Sequence, residues 1–156
     1  MKQPARILRS AAALLALLAL AAVVTGAPSA AATPRPLIRV QVPLNQNVSD
    51  LVKGRLVEKL TCALACRTKT TIYIRARLAR RLGFEGVHET PVAVGSRSVT
   101  VAAGRTARVR IGLDSTAQKL MSRANLGIQL LGQVTAQAAR PSSRRGTASW
   151  VTFLTP

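Results

Sequence analysis

Between Cys66 and Leu78 the side chains alternate without interruption over thirteen residues. Cys66, Thr68, Thr70, Ile72, Ile74, Ala76 and Leu78 fall on one side. Arg67, Lys69, Thr71, Tyr73, Arg75 and Arg77 fall on the other. A repeat of two is the period of extended backbone, in which successive Cβ atoms point to opposite faces of a sheet. The segment therefore predicts one long, half-buried strand with a cationic outer face. Its threonines and isoleucines suit a pleated surface.

Similar segments recur. LIRVQV, 37–42, places Ile38, Val40 and Val42 on one side. RLVEKLTC, 55–62, is less regular. VAVGSRSVTVAAG, 92–104, holds two short apolar stretches around Gly95-Ser96. TARVRIGL, 106–113, turns Ala107, Val109, Ile111 and Leu113 inward and Arg108 and Arg110 outward. LGIQLLGQVTAQ, 126–137, puts Leu126, Ile128, Leu130, Val134 and Ala136 opposite Gln129, Gln133 and Gln137. SWVTFL, 149–154, closes the chain's pattern, with Phe153 expected in the core. Seven or eight short antiparallel strands separated by turns predict an all-β sandwich.

Other segments break the period. STAQKLMSR, 115–123, predicts one short helix, with Ser115 and Gln118 as a capping box and Leu120 and Met121 packed on the sheet. ARLARRLG, 76–83, ends in a helical turn closed by Gly83. AARPSSRRGT, 138–147, reads as a polar loop open to trypsin-like cleavage.

Ahead of the strands, Lys2, Arg6 and Arg9 precede an apolar run of 14 residues, Ala11 to Val24, and then Ala30-Ala31-Ala32. This order matches a secretory signal peptide, residues 1–32. The run is shorter than the roughly 20 residues that span hydrocarbon, so no transmembrane segment is expected after cleavage. Residues 33–156 are then a single β-sandwich domain. Cleavage removes three of 23 basic residues and none of five acidic ones, so 20 − 5 leaves +15. The expected location is extracellular.

Cys62 and Cys66 in CALAC are the two cysteines of the chain. Outside the cytoplasm such a pair tends to oxidise. A disulfide is expected, fastening a hairpin tip between consecutive strands. A structural zinc needs four ligands, and His88 is the one histidine available to join the two sulfurs. An iron–sulfur cluster usually needs four cysteines. The C-x3-C pair of thioredoxin-like copper-delivery proteins opens a helix, whereas an alternating segment follows here.

CALAC with its alternating strand, LARRLGF, VAVGSRSVTVAAGRTARVRIGL and the STAQKL helix together resemble immunoglobulin-like β-sandwich modules of secreted proteins from high-GC Gram-positive bacteria. The likeness covers most of residues 37–154. It implies an immunoglobulin-like antiparallel sandwich acting as a wall-proximal adhesive or spacer, without catalysis. Such modules commonly end in a hairpin with an Asp-x-x-Gly-Asn-like turn. Arg140 to Gly146 stands in that place.

Residues suited to catalysis are few. The acids are Asp50, Glu58, Glu85, Glu89 and Asp114. Glu85, His88 and Glu89 share the segment GFEGVHET and could in principle hold a metal, but the favoured reading is an exposed loop of ordinary polar residues. No G-x-S-x-G, P-loop or G-x-G-x-x-G occurs. No enzyme activity and no cofactor are expected.

The charge is the remaining signal. Arg67, Lys69, Tyr73, Arg75 and Arg77 share one predicted strand face, Arg108 and Arg110 another, and Arg140, Arg144 and Arg145 one loop. Exposed cations attract polyanions because binding releases condensed counterions. Wall polymers, anionic lipids and extracellular DNA are candidate partners, and base-specific reading is not expected. Arginine-rich codon usage and protection of edge strands also produce basic faces. Two functions follow: a structural or adhesive sandwich whose partner is the wall or another surface protein, and a polyanion-binding module using the basic strand faces.

Overall fold

The alternating segments form seven strands among the described residues: β1 (Ile38–Gln41), β2 (Leu56–Cys62), β3 (Cys66–Ile74), β4 (Val92–Val101), β5 (Thr106–Ile111), β6 (Ile128–Ala138) and β7 (Arg145–Leu154). The computed structural model describes residues 35–43 and 46–156, and the expected signal peptide lies outside them. The strands build two antiparallel sheets, β1-β2-β5 and β4-β3-β6-β7. Between the sheets lies one core that includes Leu56, Leu60, Ile72, Ile74, Ile111, Ile128, Leu130 and Leu154. This is the all-β sandwich that the period-two pattern predicts.

Connections decide which sheet each strand joins. β2 and β3 are consecutive and do not pair; they lie in opposite sheets. The expected hairpin tip at CALAC is therefore a corner between sheets. Cys62 and Cys66 form the expected disulfide, with Cα atoms 6.3 Å apart, and both sulfur-bearing side chains are buried. A short loop with two inward-facing cysteines can turn the chain from one layer to the other as well as back on itself. The pairing that would distinguish the two is non-local.

Three short helices occur where one helix and one helical turn were expected: α1 (Val48–Val52), α2 (Ala76–Arg81) and α3 (Ser115–Met121). Asn47 caps α1 by accepting from the Asp50 amide at 2.8 Å. The Asp114 side chain caps α3, accepting from the Ala117 amide at 2.7 Å, so the Ser115–Gln118 capping box does not form. Gln118 instead donates to the Val52 carbonyl at 3.1 Å. Met121 is fully buried, as expected, while Leu120 is half-buried.

α2 truncates the long strand. β3 ends at Ile74, where Thr and Ile give way to Ala, Leu and Arg, which favour helix. Ala76 and Ala79, three residues apart, then face the core together. β4 is one continuous strand instead of two stretches, with a bulge opposite Ile72/Tyr73. Gly95 sits where a Cβ would come 2.2 Å from the Gly112 carbonyl oxygen. Its bare backbone lets the β4 edge approach the segment after β5, where the Asp114 amide donates to the Val94 carbonyl at 2.9 Å. β7 begins at Arg145 and not Ser149, pairing Arg145 with Gln137, which shortens the expected loop to residues 139–144.

Candidate functional site

The parity of each strand sorts its side chains between core and water. On β3, Arg67 and Lys69 are exposed and Tyr73 is half-buried, all on the outer face of the four-stranded sheet. Register places Gln137 beside Arg67, and Arg145 beyond Gln137. Two strand spacings separate Arg67 from Arg145, about 10 Å of backbone. With Lys69, Ser98, Thr135 and Thr147 they line a shallow groove of about 470 Å³. Arg145 thus joins a sheet face; the expected cluster with Arg140 and Arg144 in one loop does not hold.

Arg75 and Arg77 do not share that strand face, contrary to expectation. Arg75 is the N-cap of α2 and Arg77 lies in its first turn, because the strand gives way to helix. They meet Arg81 and Phe153 in a separate groove at the end of the sheet.

Arg108 and Arg110 do share the outer face of β5, as expected. Lys59 of β2 lies directly opposite Arg108, and Val57 opposite Arg110. Arg97 of β4 converges with Arg108 and Arg110 on a third groove, of about 520 Å³. Like charges placed directly opposite on a sheet repel, so the Lys59–Arg108 pair costs stability unless an anion lies between them. Sequence reading missed Arg39, Lys59 and Arg97. Period-two extension of their own segments would have found the first two; Arg97 needed the packing of β4 beside β5.

The carboxylates are distributed unequally. Among the seven strands the one acidic residue is Glu58, and its side chain is completely buried. Leu56, Glu58, Leu60 and Cys62 face inward together. Glu58 spans the sandwich: Oε1 accepts from the Thr70 hydroxyl on β3, and Oε2 accepts from the Trp150 indole N–H on β7 at 3.2 Å. Loss of hydration pushes its carboxyl above the ordinary glutamate range, and these two hydrogen bonds oppose the shift in part. No basic side chain is buried among the described residues.

No known family matches this chain, and no curated protein does.

Phe153 does not lie in the core, contrary to expectation. Trp150 points inward, whereas Phe153 is 62% exposed on the outer face. Both faces of β7 carry apolar residues, so the strand's own pattern does not choose between them. Leu126 is likewise exposed, having fallen short of the strand that begins at Ile128. Glu85, His88 and Glu89 are all exposed. Among the described residues no group of three His, Cys, Asp or Glu side chains is placed to hold a metal. Arg80 donates to the His88 carbonyl at 3.1 Å, anchoring that loop to α2. No described helix is long and apolar enough to cross a membrane.

Proposed function

We propose that the chain is exported, non-catalytic and adhesive at the cell surface, and that it adheres by binding anionic polymers through its strand faces. One observation carries this reading: seven strands contain a single carboxylate, and that carboxylate is turned into the core. Both outer sheet faces therefore present arginine and lysine with no acidic neighbour on any strand. Arginine-rich codon usage would add cations, but it does not turn the lone strand carboxylate inward. The Lys59–Arg108 opposition adds support, since a bound phosphate would relieve it. The likeness to secreted modules of high-GC Gram-positive bacteria, together with the signal-like leader, supports export to a wall rich in phosphate polymers.

Binding to heparin and to purified wall teichoic polymer, measured against salt, tests this function. Log affinity should fall linearly with log salt. Reversing Arg67, Lys69 and Arg145 to glutamate should flatten the slope, as should reversing Arg97, Arg108 and Arg110. A flat salt response of the unmodified protein, or no binding in low salt, would rule the function out.

A further inference from the structure

β7 turns Ser149, Val151 and Phe153 outward. Val151 is 59% exposed and Phe153 62% exposed. Register extends the apolar strip inward from Val151 to Leu131 on β6 and Tyr73 on β3, both half-buried. The Phe153 ring lies against Gly127 and forms one wall of a shallow groove whose other sides carry Arg75, Arg77 and Arg81. Exposed aromatic and aliphatic side chains next to three guanidinium groups are not needed by the fold. Such exposure marks a contact surface.

We propose that this corner docks on an anionic phospholipid bilayer. Arg75, Arg77 and Arg81 hold headgroup phosphates, for which the guanidinium fork is suited, while Phe153 and Val151 enter the boundary between headgroups and acyl chains. Two features select a lipid surface over other anions. Phosphate and hydrocarbon lie within one side-chain length of each other there, whereas wall polymers offer the phosphate alone. The apolar side chains also project from the sheet, and the recess beside them is cationic. A polypeptide partner would have to receive Phe153 in a pocket of its own. None of β3, β4, β6 or β7 carries a carboxylate that would repel the membrane. The inference rests on the proposed function for export to a surface where lipid is present, but it uses different residues from the polymer-binding grooves.

The test is co-sedimentation of the full mature chain with phosphatidylglycerol–phosphatidylcholine vesicles, with phosphatidylcholine vesicles, and with a soluble glutamate–leucine copolymer as competitor. The unmodified protein should bind the anionic vesicles and not the neutral ones. Val151→Ser with Phe153→Ser should weaken vesicle binding about tenfold and remove what survives high salt. Arg75→Gln, Arg77→Gln and Arg81→Gln together should weaken it about a hundredfold. Both variants should keep the sheet circular dichroism and the Trp150 fluorescence of the parent. Equal vesicle binding by the parent and the Val151/Phe153 variant overturns the proposal. So does the absence of vesicle binding, or competition by the copolymer that depends on the same residues, which would assign the corner to an acidic polypeptide. Heparin binding by the parent without vesicle binding sinks this inference alone; vesicle binding by the parent without heparin binding sinks the polymer-binding function alone.

Discussion

Trp150 donates its indole N–H to Oε2 of Glu58 across 3.2 Å, tying the edge strand of one sheet to the middle strand of the other. Thr70 donates to the second oxygen, so both oxygens of the buried carboxyl are partnered. The chain's one tryptophan thereby reports on its one buried acid.

Stability should fall with rising pH. Burial holds the folded Glu58 pKa above its unfolded value. Below the unfolded value both states are protonated and the favourable term is fully present. Above it the unfolded chain releases its proton first, and stability drops by about 1.4 kcal/mol per pH unit until pH passes the folded value. Denaturant titrations followed by Trp150 fluorescence should show this slope. Glu58→Gln keeps an acceptor for the indole and should be the more stable protein at neutral pH, with a flatter profile. A glutamine variant less stable than the parent at neutral pH would contradict the account.

Gly132 should tolerate no side chain. It sits directly opposite Trp150, and an added Cβ would lie 2.0 Å from Trp150 Cε2. Gly132→Ala must displace the indole from Glu58 and should cost roughly 1–3 kcal/mol, the range for overpacking. Combined with Trp150→Leu, the loss should be less than the sum of the two single changes, because the clash is gone. Additive losses, read from thermal or denaturant midpoints, would disconnect the two residues.

Reduction should loosen the corner between the sheets. Cys62 and Cys66 close a short loop, for which chain entropy predicts about 2 kcal/mol. Alkylation followed by intact-mass measurement should find no reactive thiol before reduction and two after it. The reduced protein should unfold at lower denaturant by the corresponding amount. Thiols that alkylate without reductant would exclude the bond.

Removing the Asp114 cap should destabilise the protein by about 1 kcal/mol, since the first turn of α3 loses its acceptor at the Ala117 amide. Asp114→Asn should recover most of the loss and Asp114→Ser part of it. Ser115→Ala should change the midpoint little. The opposite ranking would restore Ser115 as the cap.

The strands were legible because period-two alternation is local: burial of Cys66, Thr68, Thr70, Ile72 and Ile74 follows the pattern residue by residue. In Leu56 to Cys62 the same parity holds, but Glu58 among leucines reads as an interruption, and its inward direction became visible only in the folded strand. The outward direction of Arg67, Lys69, Arg108 and Arg110 was equally local. Only the tertiary structure decided the rest. Whether Cys62 and Cys66 close a hairpin or a corner depends on which strands pair across the sandwich. Whether Trp150 or Phe153 lies inside depends on the space that Gly132 leaves and the carboxyl that Glu58 supplies from another sheet. Whether Arg75 and Arg77 extend a strand or turn into a helix depends on where Ala76 and Ala79 find a core to cover. Local periodicity assigns a side chain to one face or the other; only packing between segments distant in sequence determines what that face meets.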